Sequence, residues 1–314
     1  MSAAEPAKEP TIRARGVHKH FGARHAVRAL DLDVPQGVCF GLLGPNGAGK
    51  TTALRMVYGV TRPTAGTVEV FGIDVARSPR KVRARLGVTL QDNVQIEALS
   101  PRDNLKIFAR HHLLTGTARE RRVEELLDFL ELRSHADVPV VALSGGYRRR
   151  LAIAMSLIHD PELLVLDEPT TGLDPAVRLA LWARVRELRA RGRTVLLTTH
   201  YMDEAERLCD RVLILCEGRA ICEGAPRALI AERLAREALE LDCTPEEEAR
   251  WLADESWKRL RSGRRLVVYG DSVAPLVARL RAQDGGDGRP LVVRPANLED
   301  VFLAATGTSL GGDA

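Results

Sequence analysis

No stretch of this chain approaches the run of about 20 apolar residues that a membrane-spanning helix needs, and the opening MSAAEPAKEP lacks the apolar core of a secretory signal. A soluble chain is expected, with any membrane role coming through a partner. The five cysteines (Cys39, Cys209, Cys216, Cys222, Cys243) form no C-x-x-C pair, and three lie in runs that read as buried strand or helix, which points to a reducing compartment. The net charge of +4 is small and dispersed, which argues against nucleic acid as a partner while suiting work beside an anionic membrane face. Sustained heptads are missing too, so no long coiled coil is expected. His18, His20 and His25 have no carboxylate or cysteine suitably spaced beside them, and no metal is expected there.

What is present is organised around Gly44 to Thr52, GPNGAGKTT. An apolar run, Val38 to Leu43, precedes it and a helical pattern through Leu54, Val57 and Val60 follows, which is the strand, loop and helix context of G-x-x-x-x-G-K-[ST]. Gly44, Gly47 and Gly49 let the backbone turn its N–H groups inward on phosphate oxygens, and the following helix adds its positive end. Lys50 is placed to reach the β and γ phosphates of ATP, and the Thr51 hydroxyl to ligate Mg²⁺. With 314 residues, 45% of them hydrophobic, the chain suffices for one α/β domain and a smaller second unit.

A second element is ELLVLDEPTTGLD, Glu162 to Asp174. Leu163 to Leu166 is continuously apolar, as a central parallel strand must be, and ends in two acids at the edge where α/β sheets bind ligands. Asp167 can hold Mg²⁺ and Glu168 can orient or deprotonate the attacking water. Between the two elements lies LSGGY, Leu143 to Tyr147, leading into a helix that Ser144 is placed to cap, a second anion-binding helix start. Arg148 to Arg150 read as the solvated face of that helix. Upstream, the alternation of Leu30, Leu32 and Val34 with Asp31 and Asp33 predicts a half-buried antiparallel sheet. Ser78-Pro79 and Ser100-Pro101 each read as an N-cap with proline at the first helical position.

LSGG ahead of LLVLDEP, with the phosphate loop upstream, resembles the ATP-binding subunits of ABC transporters over about Thr11 to Gly224. The resemblance implies a P-loop ABC cassette with a parallel core sheet, an antiparallel β subdomain and a helical insertion at about 92–158. It also implies roles for single residues. Phe21 would stack on adenine, although alone it reads as a core phenylalanine. Pro45, Asn46, Ala48 and Thr52 complete the nucleotide loop. Gln91 would contact Mg²⁺ and the attacking water, and His200, ending VLLTTH, would face the γ-phosphate. Leu143, Ser144, Gly145, Gly146 and Tyr147, with Asp174, would act across a head-to-tail dimer. Tyr147 stands where the family most often has glutamine, and Leu90 where proline commonly precedes the glutamine.

The run from LSGGYRRR through TTGLDP, with TTHYMDEAERLCDRVLIL and the terminal ANLEDVFLAATG, is similar to ATP-binding subunits of ABC-2-type exporters of the nodulation-factor (lipo-oligosaccharide) and daunorubicin-resistance types. The expected organisation is a disordered tail at 1–10, the ABC domain at 11–226 and a small C-terminal α/β accessory domain at 227–314. In the last, LELDC, LVVYG and LVVRP read as strands, Ala249 to Leu260 and VAPLVARLRA as helices, and Asp284 to Arg289 as a turn. Asn297 is placed to cap the closing helix. The resemblance further implies ATP and Mg²⁺ as cofactors, a membrane permease and a second copy of the chain as partners, and a cytoplasmic place on the inner face of the cell membrane. A non-catalytic or regulatory ATP-binding subunit is the alternative.

Overall fold

The protein is described from a computed structural model that covers residues 9–91, 94–252, 257–283 and 290–306. Most of the expected tail and all of the Asp284 to Arg289 turn lie outside the described residues. The chain forms two compact units that divide between Cys222 and Glu223.

The first unit opens with β1 (Ile12–Phe21) and β2 (Arg24–Val34), then β3 (Cys39–Leu43), α1 (Lys50–Val57), β4 (Ala65–Val70), β5 (Ile73–Asp74), α2 (Pro79–Arg83) and β6 (Leu86–Thr89). Three helices follow, α3 (Pro101–His111), α4 (Gly116–Phe129) and α5 (Gly145–Ser156). The unit closes with β7 (Leu163–Asp167), α6 (Pro175–Ala190), β8 (Thr194–Thr199), α7 (Met202–Leu208), β9 (Arg211–Cys216) and β10 (Arg219–Gly224). β3, β6, β7, β8 and β9 make the parallel part of a six-stranded sheet ordered β10-β9-β3-β8-β7-β6. Their apolar runs are buried at every position of β3, β7 and β8, which is what a sheet covered on both faces requires.

β1 pairs antiparallel with β2 and β4 in a separate sheet ordered β2-β1-β4-β5, and bulges interrupt the β1–β2 register after Ala14, Val17 and Lys19. Leu30, Leu32 and Val34 point inward while Asp31 and Asp33 are exposed, so the period of two reads as expected. Ser100 caps α3 by accepting from the Asp103 amide, with Pro101 at the first helical position. Ser78 occupies the equivalent place before α2 without a side-chain cap bond.

The second unit contains α8 (Pro226–Arg233), β11 (Glu237–Asp242), α9 (Pro245–Trp251), β12 (Lys258–Ser262), β13 (Arg265–Gly270), α10 (Ala274–Gln283), β14 (Val292–Pro295) and α11 (Leu298–Thr306). Its sheet, ordered β12-β13-β11-β14, is antiparallel throughout. The helix expected over Ala249 to Leu260 is not one element: α9 ends at Trp251, and Lys258–Ser262 is a strand that turns through Gly263, at φ +60°, into β13. A tight turn with positive φ makes a hairpin there, and pairing with β13 overrides the helical spacing of the apolar residues. Asn297 accepts from the Asp300 amide, and the Asp300 carboxylate accepts from the Asn297 amide, so the closing helix is capped reciprocally. Leu239, Leu266 and Val268 form part of a separate core with Trp251, Val273 and Leu276, all buried.

Candidate active site

β3 delivers the chain to Gly44 and α1 takes it up again at Lys50, so the loop between them is held at both ends by buried structure. Gly44 sits at φ +148°, and a Cβ on it would come 2.2 Å from the Leu215 carbonyl oxygen. Gly49, at φ +103°, would meet the Ala26 carbonyl oxygen at 2.5 Å. Only glycine supplies both the left-handed backbone and the missing side chain at these two places. Lys50 is 4% exposed. Its ammonium donates to the carbonyls of Gly44 (2.7 Å) and Pro45 (3.1 Å) and lies 3.4 Å from Glu168 Oε1. Burial lowers the Lys50 pKa, and the Glu168 carboxylate opposes that shift.

The two acids at the end of β7 are fixed by threonines of neighbouring elements. Asp167 Oδ1 accepts from Thr198 Oγ1 at 2.6 Å and from Thr51 Oγ1 at 3.3 Å, which ties the acid to the first turn of α1. Glu168 stands at φ +45°, a conformation that costs a non-glycine residue on the order of 1–3 kcal/mol. Its amide donates to Thr198 Oγ1 at 3.0 Å, and its Oε2 accepts from Thr171 Oγ1 at 3.1 Å. His200 Nδ1 lies 3.4 Å from the same oxygen without the alignment of a hydrogen bond.

These side chains converge on one open cavity of about 520 Å³, walled by Arg24, Ala26, Asn46, Gly47, Gly49, Lys50, Thr51, Thr52, Gln91, Glu168, Thr171 and His200. Gln91 is exposed and follows β6 by two residues. Asp167, 3% exposed, lies beneath Thr51. Phe21 is at the end of β1 and 49% exposed, with the Lys19 ammonium 4.9 Å from its ring centroid, so the core reading of this phenylalanine is corrected. An exposed ring face is what stacking on a planar base requires.

The LSGGY residues are apart from the cavity wall. Leu143 is buried while Ser144 and Gly145 are exposed, and Ser144 takes the N-cap position of α5 with extended backbone but makes no side-chain cap bond, contrary to expectation. A Cβ on Gly146 would lie 3.1 Å from Val177 Cγ1, so its lack of side chain lets α5 approach α6. Asp174 caps α6 by accepting from the Val177 amide at 3.0 Å. Apart from Phe21, which does not line the cavity, the sequence-predicted residues therefore fall into two groups: phosphate loop, acids, Gln91 and His200 around the cavity, and LSGGY beside Asp174. Tyr147 packs against His135 with ring centroids 4.0 Å apart and the planes tilted by 33°.

Sequence reasoning missed Arg149. A charge run reads as solvated, yet Arg149 is 8% exposed and donates to four carbonyls: Leu90 (2.6 Å), Asp167 (2.6 Å), Pro169 (2.8 Å) and Glu168 (3.0 Å). It joins α5 to the end of β7 and to the residue before Gln91. Thr198 was missed as well, although a hydroxyl on a fully buried strand two residues before His200 is a signal that a polar partner waits there.

A loop of this geometry, an acid pair at a strand end and a second glycine-started helix define an ATP-binding cassette. The family model described as "ABC transporter" matches residues 27–171, and that described as "Nodulation factor export protein NodI, C-terminal domain" matches 249–307. The chain belongs to the ABC transporter family as an ATP-binding subunit, the class that hydrolyses ATP in a transporter. It is 44% identical to Nod factor export ATP-binding protein I of Ralstonia nicotianae over 96% of this chain and 95% of that one. It is 47% identical to the protein of the same name in Burkholderia pseudomallei, over 94% of this chain and 96% of that one. Among solved structures it is similar to cbiO1 of Clostridium perfringens, part of the ABC transporter complex cbiONQ (TM-score 0.67, 28% identity, 72% of this chain and 92% of that one). A second is a dimeric ATP-binding cassette in a post-hydrolysis state bound to ADP and Pi (TM-score 0.63, 25% identity, 68% and 98%).

Proposed function

We propose that this subunit binds ATP with Mg²⁺ and hydrolyses it as a head-to-tail homodimer, and so powers a permease that exports a lipo-oligosaccharide or a hydrophobic drug-like compound from the cytoplasmic face of the cell membrane. The lipo-oligosaccharide reading rests on the relatives named for Nod factor export, and the drug-like one on the resemblance to daunorubicin-resistance exporters alone. The observation that carries the chemistry is the convergence of Lys50, Thr51, Gln91, Glu168 and His200 on one cavity above Asp167. No helix among the described residues is long and apolar enough to cross a membrane, which accords with a permease as a separate partner.

The residues fit the groups they would hold. Glycines at positive φ let the loop close around phosphate, and Lys50, now bonded to the loop's own carbonyls, is the charge that would turn to the β and γ phosphates. Thr51 and Asp167 already share a hydrogen bond, and with Gln91 they offer the oxygen donors a small hard cation needs. Bound there, Mg²⁺ would neutralise charge on the phosphates. Glu168 orients or deprotonates the attacking water, and the Thr171 hydroxyl holds its second oxygen in place, with His200 beside it. LSGGY, on an exposed helix start outside this cavity, would meet the phosphates of the partner copy, with Asp174 beside it.

The test is Glu168→Gln. ATP binding should persist by calorimetry, hydrolysis should fall by at least about 100-fold, and an ATP-dependent dimer should accumulate in light scattering. Hydrolysis at the parent rate would remove Glu168 from the chemistry. A parent chain that binds ATP without hydrolysing it, alone or with its permease, would favour the regulatory alternative.

A further inference from the structure

The β1–β2 hairpin carries a cluster that the nucleotide chemistry does not use. His20 pairs directly with His25 across the bulged hairpin, and His18 lies close to both, so the ligating nitrogens of all three are within 4.8 Å of one another. Strand pairing supplies a proximity that the linear spacing, which gave no reason to expect a metal here, does not reveal. His18 Nδ1 and His25 Nε2 are 3.1 Å apart. With metal–nitrogen bonds of about 2.0–2.1 Å, two ligands of a tetrahedral ion stand about 3.3 Å apart, so this pair is already spaced as one edge of the polyhedron. His20 stacks on His25 with centroids 3.8 Å apart, and its ring must swing off that face to present a nitrogen. It is the exposed member of the three and has the room to do so.

We propose that His18, His20 and His25 form a binding site for one divalent transition-metal ion of the zinc class. Three imidazoles suit zinc, copper and nickel and leave a fourth position for water or another ligand, whereas magnesium and calcium want oxygen. The Lys19 ammonium is directed elsewhere, donating to the Arg62 carbonyl at 2.9 Å, whereas Arg28 Nε reaches the His25 carbonyl at 3.5 Å; desolvation chiefly, with the Arg28 charge helping, keeps the His25 ring neutral, the form that ligates a metal. The same hairpin supplies Arg24 and Ala26 to the wall of the nucleotide cavity and carries Phe21 at its end. An ion here would clamp the two strands that frame that side of the cavity.

The test titrates ZnCl₂ into the full chain by calorimetry without nucleotide, and records the visible spectrum of the Co²⁺-loaded protein. The wild-type chain should take up one equivalent, with nitrogen and oxygen ligation and no thiolate charge-transfer band. His18→Ala and His25→Ala should each weaken binding at least tenfold while unfolding at the wild-type temperature in EDTA. His20→Ala, at an exposed position, should weaken it similarly and serves if either of the others fails to fold. Zinc affinity unchanged in the histidine variants, a thiolate band from the free cysteines, or no uptake by the wild-type chain would each overturn the proposal.

Discussion

Replacing Arg149 by alanine removes a charged donor from four carbonyls at once, those of Leu90, Asp167, Glu168 and Pro169. Hydrogen bonds from a charged donor contribute about 1.5–3 kcal/mol each, but the arginine was itself desolvated at 8% exposure, and that cost is recovered when it leaves. Burial lowers the Arg149 pKa, while Asp167, Glu204 and Glu168 oppose that shift and the guanidinium stays charged. What remains is the stranding of buried acceptors, for which breaking a buried charged network gives about 3–5 kcal/mol. Against a usual stability of about 5–15 kcal/mol this is a large share. With a urea slope of about 2–3 kcal/mol per molar, the midpoint for the first unit should drop by about 1–2.5 M without a change in slope. Arg149→Met, which keeps the length but no donor, should lose nearly as much, and Arg149→Lys, with one compact ammonium, should fall between. ATP hydrolysis, measured where each variant is still folded, should decline in the same order, because the stranded carbonyls belong to Asp167, to Glu168 and to the residue before Gln91. An Arg149→Met midpoint equal to wild type would refute the reasoning, since packing alone would then account for the residue.

Lys50→Ala should weaken ATP binding by about 10- to 100-fold in calorimetry, the equivalent of one charge-assisted contact to phosphate, and an unchanged affinity would remove Lys50 from the site. Burial lowers His159 to about 4, with the His112 ring stacked 3.9 Å away, and its Nε2 hydrogen-bonds the Leu86 carbonyl. Unfolded histidine titrates near 6.5, so the native state binds fewer protons between those values; stability is fully present above about pH 6.5 and falls by roughly 3 kcal/mol, before solvent screening of this part-exposed ring, as pH drops towards 4. His159→Gln, with an amide to replace Nε2, should flatten that part of a stability–pH curve despite the nearby Arg122 and Asp160, and an unaltered slope would assign it to other groups. Phe302→Ala, at a side chain with no exposed surface, should destabilise the second unit by about 3–5 kcal/mol in urea unfolding yet leave ATP affinity unchanged, since every residue of the cavity wall precedes Tyr201.

The phosphate loop was legible because its demands are local: Gly44 and Gly49 sit at positive φ within a few residues of the strand and helix they join, and no distant contact could make another residue serve. The buried strands were legible for the same reason, as Leu163 to Leu166 carry their two-sided burial in an unbroken apolar run. The caps at Ser100 and Asn297 were fixed by side chains reaching only three residues along the chain, whereas Ser144 holds the right position and makes no such bond. What only the tertiary structure decided depends on partners far apart in sequence. Arg149 is a solvated charge by its neighbours and a buried clamp because β6 and β7 bring four carbonyls to it. Lys258–Ser262 became a strand because β13 lay beside it. His20 and His25 became a pair because a bulged antiparallel register, set by the whole hairpin, put them opposite one another. Residue identity determined the conformations that cost least locally, and the long-range pairing of buried polar groups decided which charges would be enclosed and which left to water.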